Sequence, residues 1–288
     1  MNQTAAILDY LAKSETPCVV LLAPNAPPVT RAERGVEVAL NTVMDSSSVA
    51  ETLDGLAART ERGKTDLGEN GTFCFGVPNV GRIRVSYATQ RGSRIVSVAN
   101  IPFRVPRLDE LCDDPYAGNR LVEILSAGHM GMLAVTGPSL LNNSMLVYSL
   151  LQEVNRSKRS IIYILERRLT FLMAHADSIV IQSELGRDVA SLNEGVESAS
   201  LFDPDILFVG DVRLTDDLPG VRYAVASGVF TIVSSVSMAA DELLDKFCPK
   251  TGEPGAAARR YARSKVNVLP AAGKELNVTL VDLSARKA

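Results

Sequence analysis

The chain of 288 residues is 46% hydrophobic and 22% charged, ordinary values for a soluble globular protein, and its length suits two domains. A formal net charge of −3 gives no overall attraction to nucleic acid or to an anionic membrane, so we expect no nucleic acid partner. We recognise no signal peptide, and we predict no membrane span in the uncharged run 223–240, because glycine, threonine and serines interrupt it. Four widely spaced cysteines and two histidines give no metal-ligand spacing, which favours a reduced, cytosolic protein.

Residues 1–104 predict an α+β domain. Apolar residues recur at helical spacing in two segments, and short apolar runs bounded by turn residues predict four strands. The last three strands follow one another closely, as in an antiparallel meander. The predicted helices cover 5–13 and 46–59, and the predicted strands cover 18–23, 72–77, 82–89 and 94–99.

The second half of the chain has a different pattern. Two prolines in 101–106 indicate a linker, which we place at 105–112, between a domain at 1–104 and a domain at 113–288. From residue 130 onward strands and helices alternate, which is typical of a mainly parallel sheet with helices on both faces. The predicted strands cover 132–136, 161–165, 178–182, 205–209 and 230–234, and the predicted helices cover 144–153, 189–200 and 220–226.

One segment stands between a strand and a helix, where a phosphate-binding loop belongs. The segment comprises Gly137, Pro138, Ser139, Leu140, Leu141, Asn142, Asn143, Ser144 and Met145. The phosphate-loop pattern is G-x-x-x-x-G-K-[ST], and the chain matches its first glycine with Gly137 and its hydroxyl with Ser144. Asn142 replaces the second glycine, and Asn143 replaces the lysine whose charge bonds to the phosphates. Ser144 can still offer a hydroxyl to Mg²⁺, and the helix N-terminus still favours an anion.

A second candidate element is the apolar strand at 205–209, which is followed by Gly210 and Asp211. A carboxylate in this position can orient a water molecule or hold Mg²⁺ indirectly during phosphoryl transfer. The simpler interpretation is that Asp211 caps the next turn, and spacing alone favours it.

Four segments, in this order, resemble the PilT/GspE-type secretion ATPase family. They are Val77-Pro-Asn-Val-Gly-Arg-Ile-Arg-Val85 with Gln90-Arg-Gly92, Leu133-Ala-Val-Thr-Gly-Pro138, Gln182-Ser-Glu-Leu-Gly-Arg-Asp188 and Asp203-Pro-Asp-Ile-Leu-Phe-Val-Gly210. No single segment is diagnostic, and the ordered set, which covers nearly the whole chain, carries the resemblance. The resemblance implies an α/β chain with a PAS-like α+β domain followed by a RecA-like P-loop NTPase domain.

The resemblance also implies partners and a location. Members of this family serve type IV pili, twitching motility and type II secretion as rings of six subunits that bind ATP between domains and between neighbours. The implied partners are further copies of the chain or active relatives, and an inner-membrane platform protein. The implied location is the cytoplasm, peripheral to the inner membrane through that partner.

The chain departs from the family pattern at its catalytic elements. The family loop reads Gly-Pro-Thr-Gly-Ser-Gly-Lys-Ser-Thr where this chain has 137–145. Glu166 survives from an acidic box whose other polar positions are now arginines and threonine, namely Arg167, Arg168 and Thr170. Asp211 stands in place of a glutamate general base and is one methylene shorter, enough to misplace a water molecule. Val229 and Val236 take the positions of two histidines.

Three arginines of the first domain resemble the family's phosphate-facing set: Arg82, Arg84 and Arg91. An equally good interpretation is a solvated strand face.

Three hypotheses follow. The first is a pseudo-ATPase that binds ATP and Mg²⁺ weakly or not at all and acts as a structural or regulatory part of a ring. The second is a weakly active motor in which Ser144, Glu166 and Asp211 position Mg²⁺ and water, with Arg167 or Arg168 replacing the lost lysine. The third is a scaffold that binds no nucleotide, for which an exposed apolar patch on 1–104 would be evidence.

Overall fold

The computed structural model describes residues 2–14, 17–32, 35–60, 67–78, 80–127, 131–248, 262–270 and 276–282. By its internal contacts the chain divides into two units, Met1–Arg104 and Val105–Ala288. No helix within the described ranges is both long enough and apolar enough to cross a membrane.

The first unit combines one antiparallel sheet with two helices. The helices are α1 (Thr4–Ala12) and α2 (Ser46–Ala57), and the strands are β1 (Val19–Leu22), β2 (Val29–Ala32), β3 (Gly35–Val38), β4 (Gly71–Val77), β5 (Gly81–Gln90) and β6 (Ser93–Ile101). The sheet has the order β3-β2-β1-β6-β5-β4, so the meander expected from the sequence forms one side of it. The sequence did not predict β2 and β3, because each has only four residues and includes charged ones.

The core of this unit lies between the two helices and one face of the sheet. Ile7 and Leu53 of the helices pack there with Val20, Ile83 and Val98 of the strands, all of them buried. Side chains alternate between the two faces of a strand, so the neighbours of these core residues point to the opposite face.

The second unit combines a seven-stranded sheet with helices. The helices are α3 (Leu108–Leu111), α4 (Pro115–Ser126), α5 (Leu140–Ser157), α6 (Leu192–Ser200), α7 (Pro219–Ser227) and α8 (Ala240–Phe247). The strands are β7 (Gly131–Thr136), β8 (Ile161–Glu166), β9 (Ile179–Glu184), β10 (Ile206–Gly210), β11 (Phe230–Ser235), β12 (Ala262–Pro270) and β13 (Leu276–Asp282). The sheet order is β13-β12-β7-β11-β10-β8-β9, and every pairing except β12 with β13 is parallel.

Helices cover both faces of this sheet. One apolar cluster joins α3, α4 and α5 to alternate strand residues such as Leu133 and Phe208. The other joins α6, α7 and α8 to the intervening residues, such as Ala134 and Val209. Strands β7, β10 and β11 are buried along their whole length, which explains why none of their residues is charged.

Residues 105–112, expected from the sequence to be a linker, fold with the second unit. Leu108, Leu111 and Cys112 are buried in the cluster around α5. The hydroxyl of Ser149 in α5 donates a hydrogen bond to the carbonyl oxygen of Pro106, 2.8 Å away. The two leucines are three residues apart on one helical turn and bury the same face, so the prolines before them do not release this segment from the domain.

Candidate nucleotide site

The segment predicted to be a phosphate loop lies between β7 and α5, but most of it is helical. Helix α5 begins at Leu140, four residues before Ser144. The N–H of Asn142 donates to the hydroxyl of Ser139, and the N–H of Asn143 donates to the carbonyl oxygen of Ser139. A phosphate loop leaves such N–H groups free to surround the phosphates. In this chain they donate instead to Ser139, the N-cap residue of α5.

Gly137 has a packing role in this structure. A Cβ atom at this position would overlap the carbonyl oxygen of Val268 in β12 and lie 2.8 Å from the Oδ1 atom of Asn143. The glycine that matches the start of the phosphate-loop pattern therefore lets a neighbouring strand approach the loop. Of the remaining loop residues, Pro138 and Leu140 are exposed, whereas Leu141 and Met145 pack on the core.

Asn143, which stands in place of the phosphate-binding lysine, is completely buried. Its Nδ2 atom donates to the carbonyl oxygen of Ser235 at 3.1 Å and to that of Gly137 at 3.5 Å. The side chain thus connects the start of the loop to the end of β11. Its Oδ1 atom is buried and has no hydrogen-bond partner among the described residues. The amide is directed into the protein and away from any ligand.

Ser144, the candidate Mg²⁺ ligand, is also completely buried. Its hydroxyl donates to Oε1 of Glu166 at 2.9 Å. No group of three or more His, Cys, Asp or Glu side chains that could hold a metal ion occurs in the part of the chain that the structure describes. In this arrangement the residues do not fit a Mg²⁺ ion, because the expected ligand is already engaged inside the core.

Glu166, at the end of β8, accepts hydrogen bonds from three residues. Besides Ser144, the hydroxyl of Tyr148 donates to Oε2 at 2.8 Å, and Thr170 donates its N–H to Oε2 at 3.1 Å and its hydroxyl to Oε1 at 3.4 Å. Burial raises the pKa of Glu166 to about 7, and the hydrogen bonds from Tyr148, Ser144 and Thr170 limit the rise. The pKa of Tyr148 lies well above its usual value because the phenol is buried and faces this carboxylate.

The sequence did not point to Tyr148, and it singled out the residue that bonds to Tyr148, Gln182, only as the first residue of a segment that resembles the family. Gln182 in β9 donates to the Tyr148 oxygen at 3.2 Å and to the carbonyl oxygen of Phe171 at 2.9 Å. Its Oε1 atom accepts from the N–H of Met173 at 2.8 Å. The one available signal was the four-residue spacing of Ser144 and Tyr148, which puts both on one helix face. That spacing does not reveal which carboxylate they bind.

Asp211 follows β10 and has a left-handed backbone, with φ of 54°. Its N–H donates to the hydroxyl of Ser234 at 3.2 Å, and its carboxylate accepts from Arg213 at 3.3 Å. Arg167 donates to the carbonyl oxygen of Asp211 at 3.0 Å and forms a short ion pair with Asp216. Strand pairing puts Gly210 opposite Glu166, so the two candidate carboxylates lie on neighbouring strand ends.

These ion pairs also decide whether Arg167 or Arg168 can replace the missing lysine of the phosphate loop. Arg167 is committed to Asp216 and to the backbone of Asp211, whereas Arg168 is exposed. Burial by itself raises the pKa of Asp216, but hydrogen bonds from Arg167 and from the N–H of Arg213 outweigh it, so the pKa lies below its usual value. Arg167 therefore has a structural role in this arrangement.

A cavity of about 550 Å³ opens beside the loop. Thr136, Gly137 and Pro138 form one side, and the segment from Val236 to Asp241 and strands β12 and β13 form the rest. Asp241 is the one ionisable side chain among the residues that line it. Within the described part of the chain this lining offers a carboxylate and no cationic side chain, which disfavours a polyphosphate.

The three candidate arginines of the first unit do not form one cluster. Arg82 and Arg84 lie two residues apart on β5, on the face opposite the core residues Ile83 and Val85. Arg91 lies in the turn after β5, seven residues from Arg84, or about 23 Å along an extended strand. Arg84 is buried, so this residue does not belong to a solvated strand face.

Comparison with known proteins gives no matching family model. The chain is 29% identical over 182 residues to the type IV pilus retractation ATPase PilT of Pseudomonas aeruginosa. The aligned residues cover 61% of this chain and 51% of the relative. It is 28% identical over 180 residues to a twitching motility protein of Neisseria gonorrhoeae. Those residues cover 61% of this chain and 46% of the relative. The chain therefore matches about half the length of these relatives.

Two solved structures share the fold. The pilus retraction motor PilT with bound ADP superimposes with a TM-score of 0.77 at 22% identity, over 98% of this chain and 83% of the other. The Legionella pneumophila ATPase DotB superimposes with a TM-score of 0.73 at 16% identity, over 97% of this chain and 81% of the other. The predicted α/β fold class is confirmed. The curated relatives support the same resemblance, to the PilT/GspE-type secretion ATPase family.

Proposed function

We propose that this chain is a subunit of a PilT-like pilus or secretion machine that does not hydrolyse ATP and acts as a structural or regulatory component of a ring. It binds nucleotide weakly or not at all. The observation that carries the proposal is the position of Asn143. The residue in the lysine position is uncharged, completely buried and bonded to the carbonyl oxygens of Ser235 and Gly137.

The loop geometry supports the same conclusion. The first turn of α5 includes residues that would have to surround the phosphates. Restoring a phosphate loop would require that turn to unwind, with loss of the Ser139 cap and of the amide bonds of Asn143. A cap alone is worth about 1 kcal/mol, so the closed loop is favoured over an open one.

The two candidate catalytic carboxylates also support the proposal that the chain does not hydrolyse ATP. Glu166 is bonded to four donor groups of its own domain, and Asp211 is paired with Arg213. A general base has to reach a water molecule next to the γ-phosphate, within about 3 Å. Neither carboxylate has that freedom in this arrangement.

A titration tests nucleotide binding. A fluorescent ATP analogue is added to the full chain with and without Mg²⁺, and phosphate release is followed in parallel. We expect no turnover and no saturation below about millimolar nucleotide, because the charged contacts to the phosphates are missing. A variant in which 137–145 are replaced by Gly-Pro-Thr-Gly-Ser-Gly-Lys-Ser-Thr serves as the positive control, and we expect it to bind more tightly.

A weakly active motor would give a different result. Steady turnover that Asp211→Asn abolishes and Asp217→Asn leaves intact would show that Asp211 acts on water, and our proposal would then be wrong. Micromolar binding that needs Mg²⁺ and is lost in Ser144→Ala would show that the loop opens to accept nucleotide.

Assembly is the second part of the proposal. The homologues named for pilus retraction and twitching motility lead us to propose a cytoplasmic ring subunit, formed with copies of itself or with active relatives and bound to an inner-membrane platform protein. Mixing the chain with an active relative and measuring both ring size and ATP turnover tests this. Turnover and ring size that never change across mixing ratios would contradict it.

A scaffold that binds no nucleotide is the second candidate, and one observation favours it. Exposed aliphatic side chains lie on the sheet face opposite the core of the first unit: Val19 and Leu21 in β1, and Val36 and Val38 in β3. Strand register puts Leu21, Val29 and Val38 in one row across three strands. An exposed apolar strip next to an edge strand is a common protein contact surface. A chain that stays monomeric and binds no active relative, yet binds a partner through this strip, would favour the scaffold.

A further inference from the structure

A groove of about 580 Å³ lies between α6 and α7 in the second unit. It opens where β10 and β11 begin, next to Asp203, Pro204 and Val229. The candidate nucleotide loop follows the other end of β7, and the strands β7, β10 and β11 are parallel. The groove therefore lies at the N-terminal ends of the parallel strands, whereas the candidate nucleotide loop lies at their C-terminal ends, so the two sites are separate.

The shape of the groove follows from its small side chains. The two helices approach closely at Gly220, where a Cβ atom would lie 2.8 Å from Cγ1 of Val196. Beyond this contact several of the lining residues on the two helices are small, namely Ala199, Ser200, Ala224 and Ser227, and they leave the space between the helices unfilled. Leu207 of β10 lines the groove from the sheet, so its interior is mainly apolar.

Large apolar side chains extend this surface. Tyr223 lines the groove and is 68% exposed. Leu201 and Phe202, in the turn that follows α6, are 82% and 50% exposed. Exposed apolar side chains beside a concave site are typical of sites that bind another protein.

The charged residues of the groove indicate the charge of the partner that it can bind. Glu197 and Asp203 line it, and no lysine or arginine does so among the residues that the structure describes. Within the described residues neither carboxylate forms an ion pair, although Glu197 accepts a hydrogen bond from Asn193 at 2.7 Å. Arg222, on the same helix as Tyr223, is turned away and donates to the carbonyl oxygen of Lys246 at 2.9 Å. The groove therefore repels anions and favours a cation beside an apolar group.

We propose that this groove docks a short segment of a partner protein that carries aliphatic side chains next to lysine or arginine. The aliphatic groups fill the space over Ala199 and Ala224, and the cations pair with Glu197 and Asp203. Tyr223 adds a ring face on which a cation can rest. The proposal does not depend on whether the chain binds or hydrolyses ATP.

Three labelled peptides of about four helical turns test it by fluorescence anisotropy with the full chain. The first carries leucine on one face and lysine on the other, the second replaces lysine with glutamate, and the third replaces leucine with serine. We expect the leucine–lysine peptide to bind at least about tenfold more tightly than either of the others and to weaken as salt is raised. Equal binding of the glutamate peptide would overturn the proposal.

Two variants locate the binding site. Ser227→Trp fills the groove from its exposed rim, and we expect about tenfold weaker binding. Glu197→Gln with Asp203→Asn keeps the size of both side chains, and we expect about three- to tenfold weaker binding with a smaller salt dependence. The matched control is Asp9→Asn with Asp54→Asn, which makes the same charge change on exposed residues of the first unit and should leave the affinity unchanged.

The outcomes separate this groove from other sources of binding. If both groove variants bind like the parent chain, the peptide binds elsewhere and the proposal is wrong. If Ser227→Trp abolishes self-association of the chain and the peptide never competes with that association, the groove holds a second copy, which also overturns it. Should Ser227→Trp lower the unfolding midpoint, Tyr223→Ala at the exposed rim gives the same test.

Discussion

The side-chain amide of Asn143 donates a hydrogen bond to the carbonyl oxygen of Ser235, across 92 positions of sequence. The contact connects the first turn of α5 to the end of β11, the strand next to β7 in the sheet. In the phosphate-loop pattern a lysine stands at this position and extends toward a ligand. In this chain the position stabilises the fold, and the first prediction below follows from that change of role.

Replacing Asn143 with lysine should not produce an ATPase. The new ammonium group would be buried without an anionic partner, or the first turn of α5 would have to open, and we expect the free energy of unfolding to fall by about 2–4 kcal/mol. Urea unfolding and phosphate release measure both effects. Asn142→Lys, at the neighbouring half-buried position, is the matched control and should change stability much less. An Asn143→Lys protein that is as stable as the parent and turns over ATP would contradict the proposed role.

Gly137→Ala should destabilise the second unit although it adds a single methyl group. The new Cβ would overlap the carbonyl oxygen of Val268, and a backbone atom in a sheet cannot move aside cheaply. We expect a loss of about 1–3 kcal/mol, seen as a lower midpoint in urea. Gly76→Ala, in a strand of the first unit with nothing within 4 Å of the new methyl group, should change the midpoint little. Equal effects of the two substitutions would mean that β12 does not pack against the loop.

Stability should fall as pH rises because of Glu166. Burial puts its folded-state pKa at about 7, above the ordinary value of 4.5. Between these pH values the folded state therefore binds more protons than the unfolded state. The contribution of this group is complete below about pH 4.5 and is lost as pH rises through 7, a change of up to roughly 3 kcal/mol.

Glu166→Gln tests this pH dependence because it keeps the size of the side chain and cannot ionise. We expect the stability of the variant relative to the parent to increase between pH 4.5 and 8, measured by urea unfolding at each pH. Asp54→Asn, on the exposed side of α2, serves as the surface control. A parallel pH profile for the parent and Glu166→Gln would show that the carboxylate is not buried as the structure has it.

The ion pair between Arg167 and Asp216 should contribute measurably to stability. Both side chains are about 20% exposed, so water screens the pair less than it screens a surface pair. A double-mutant cycle with Arg167→Ala and Asp216→Asn should give a coupling free energy of about 1 kcal/mol. The same cycle on Arg107 and Asp109, both 63% exposed, should give a clearly smaller coupling, because water screens an exposed pair. Equal couplings would mean that the partly buried position of Arg167 has no effect.

Most of the second unit and part of the first could be predicted from the sequence. The buried parallel strands of the second unit are short runs rich in apolar residues, so β7, β8, β10 and β11 could be predicted to within a residue or two. Strands β2 and β3 were missed, because four residues that include charges carry no clear period. The short helix α3 was read as a linker, because the prolines before it are visible in the sequence and the apolar surface that receives Leu108 and Leu111 is not.

The sequence alone determined which chemical groups this protein lacks. A lysine, a glycine and two histidines of the family pattern are absent whatever the fold, because side-chain identity is written in the chain itself. Only the tertiary structure decided what the replacements do. Asn143 is bonded to Ser235, and Glu166 receives its donors from α5 and Thr170. Such pairings depend on strand order and helix position, which bring distant residues within hydrogen-bond distance and leave no local pattern in the sequence.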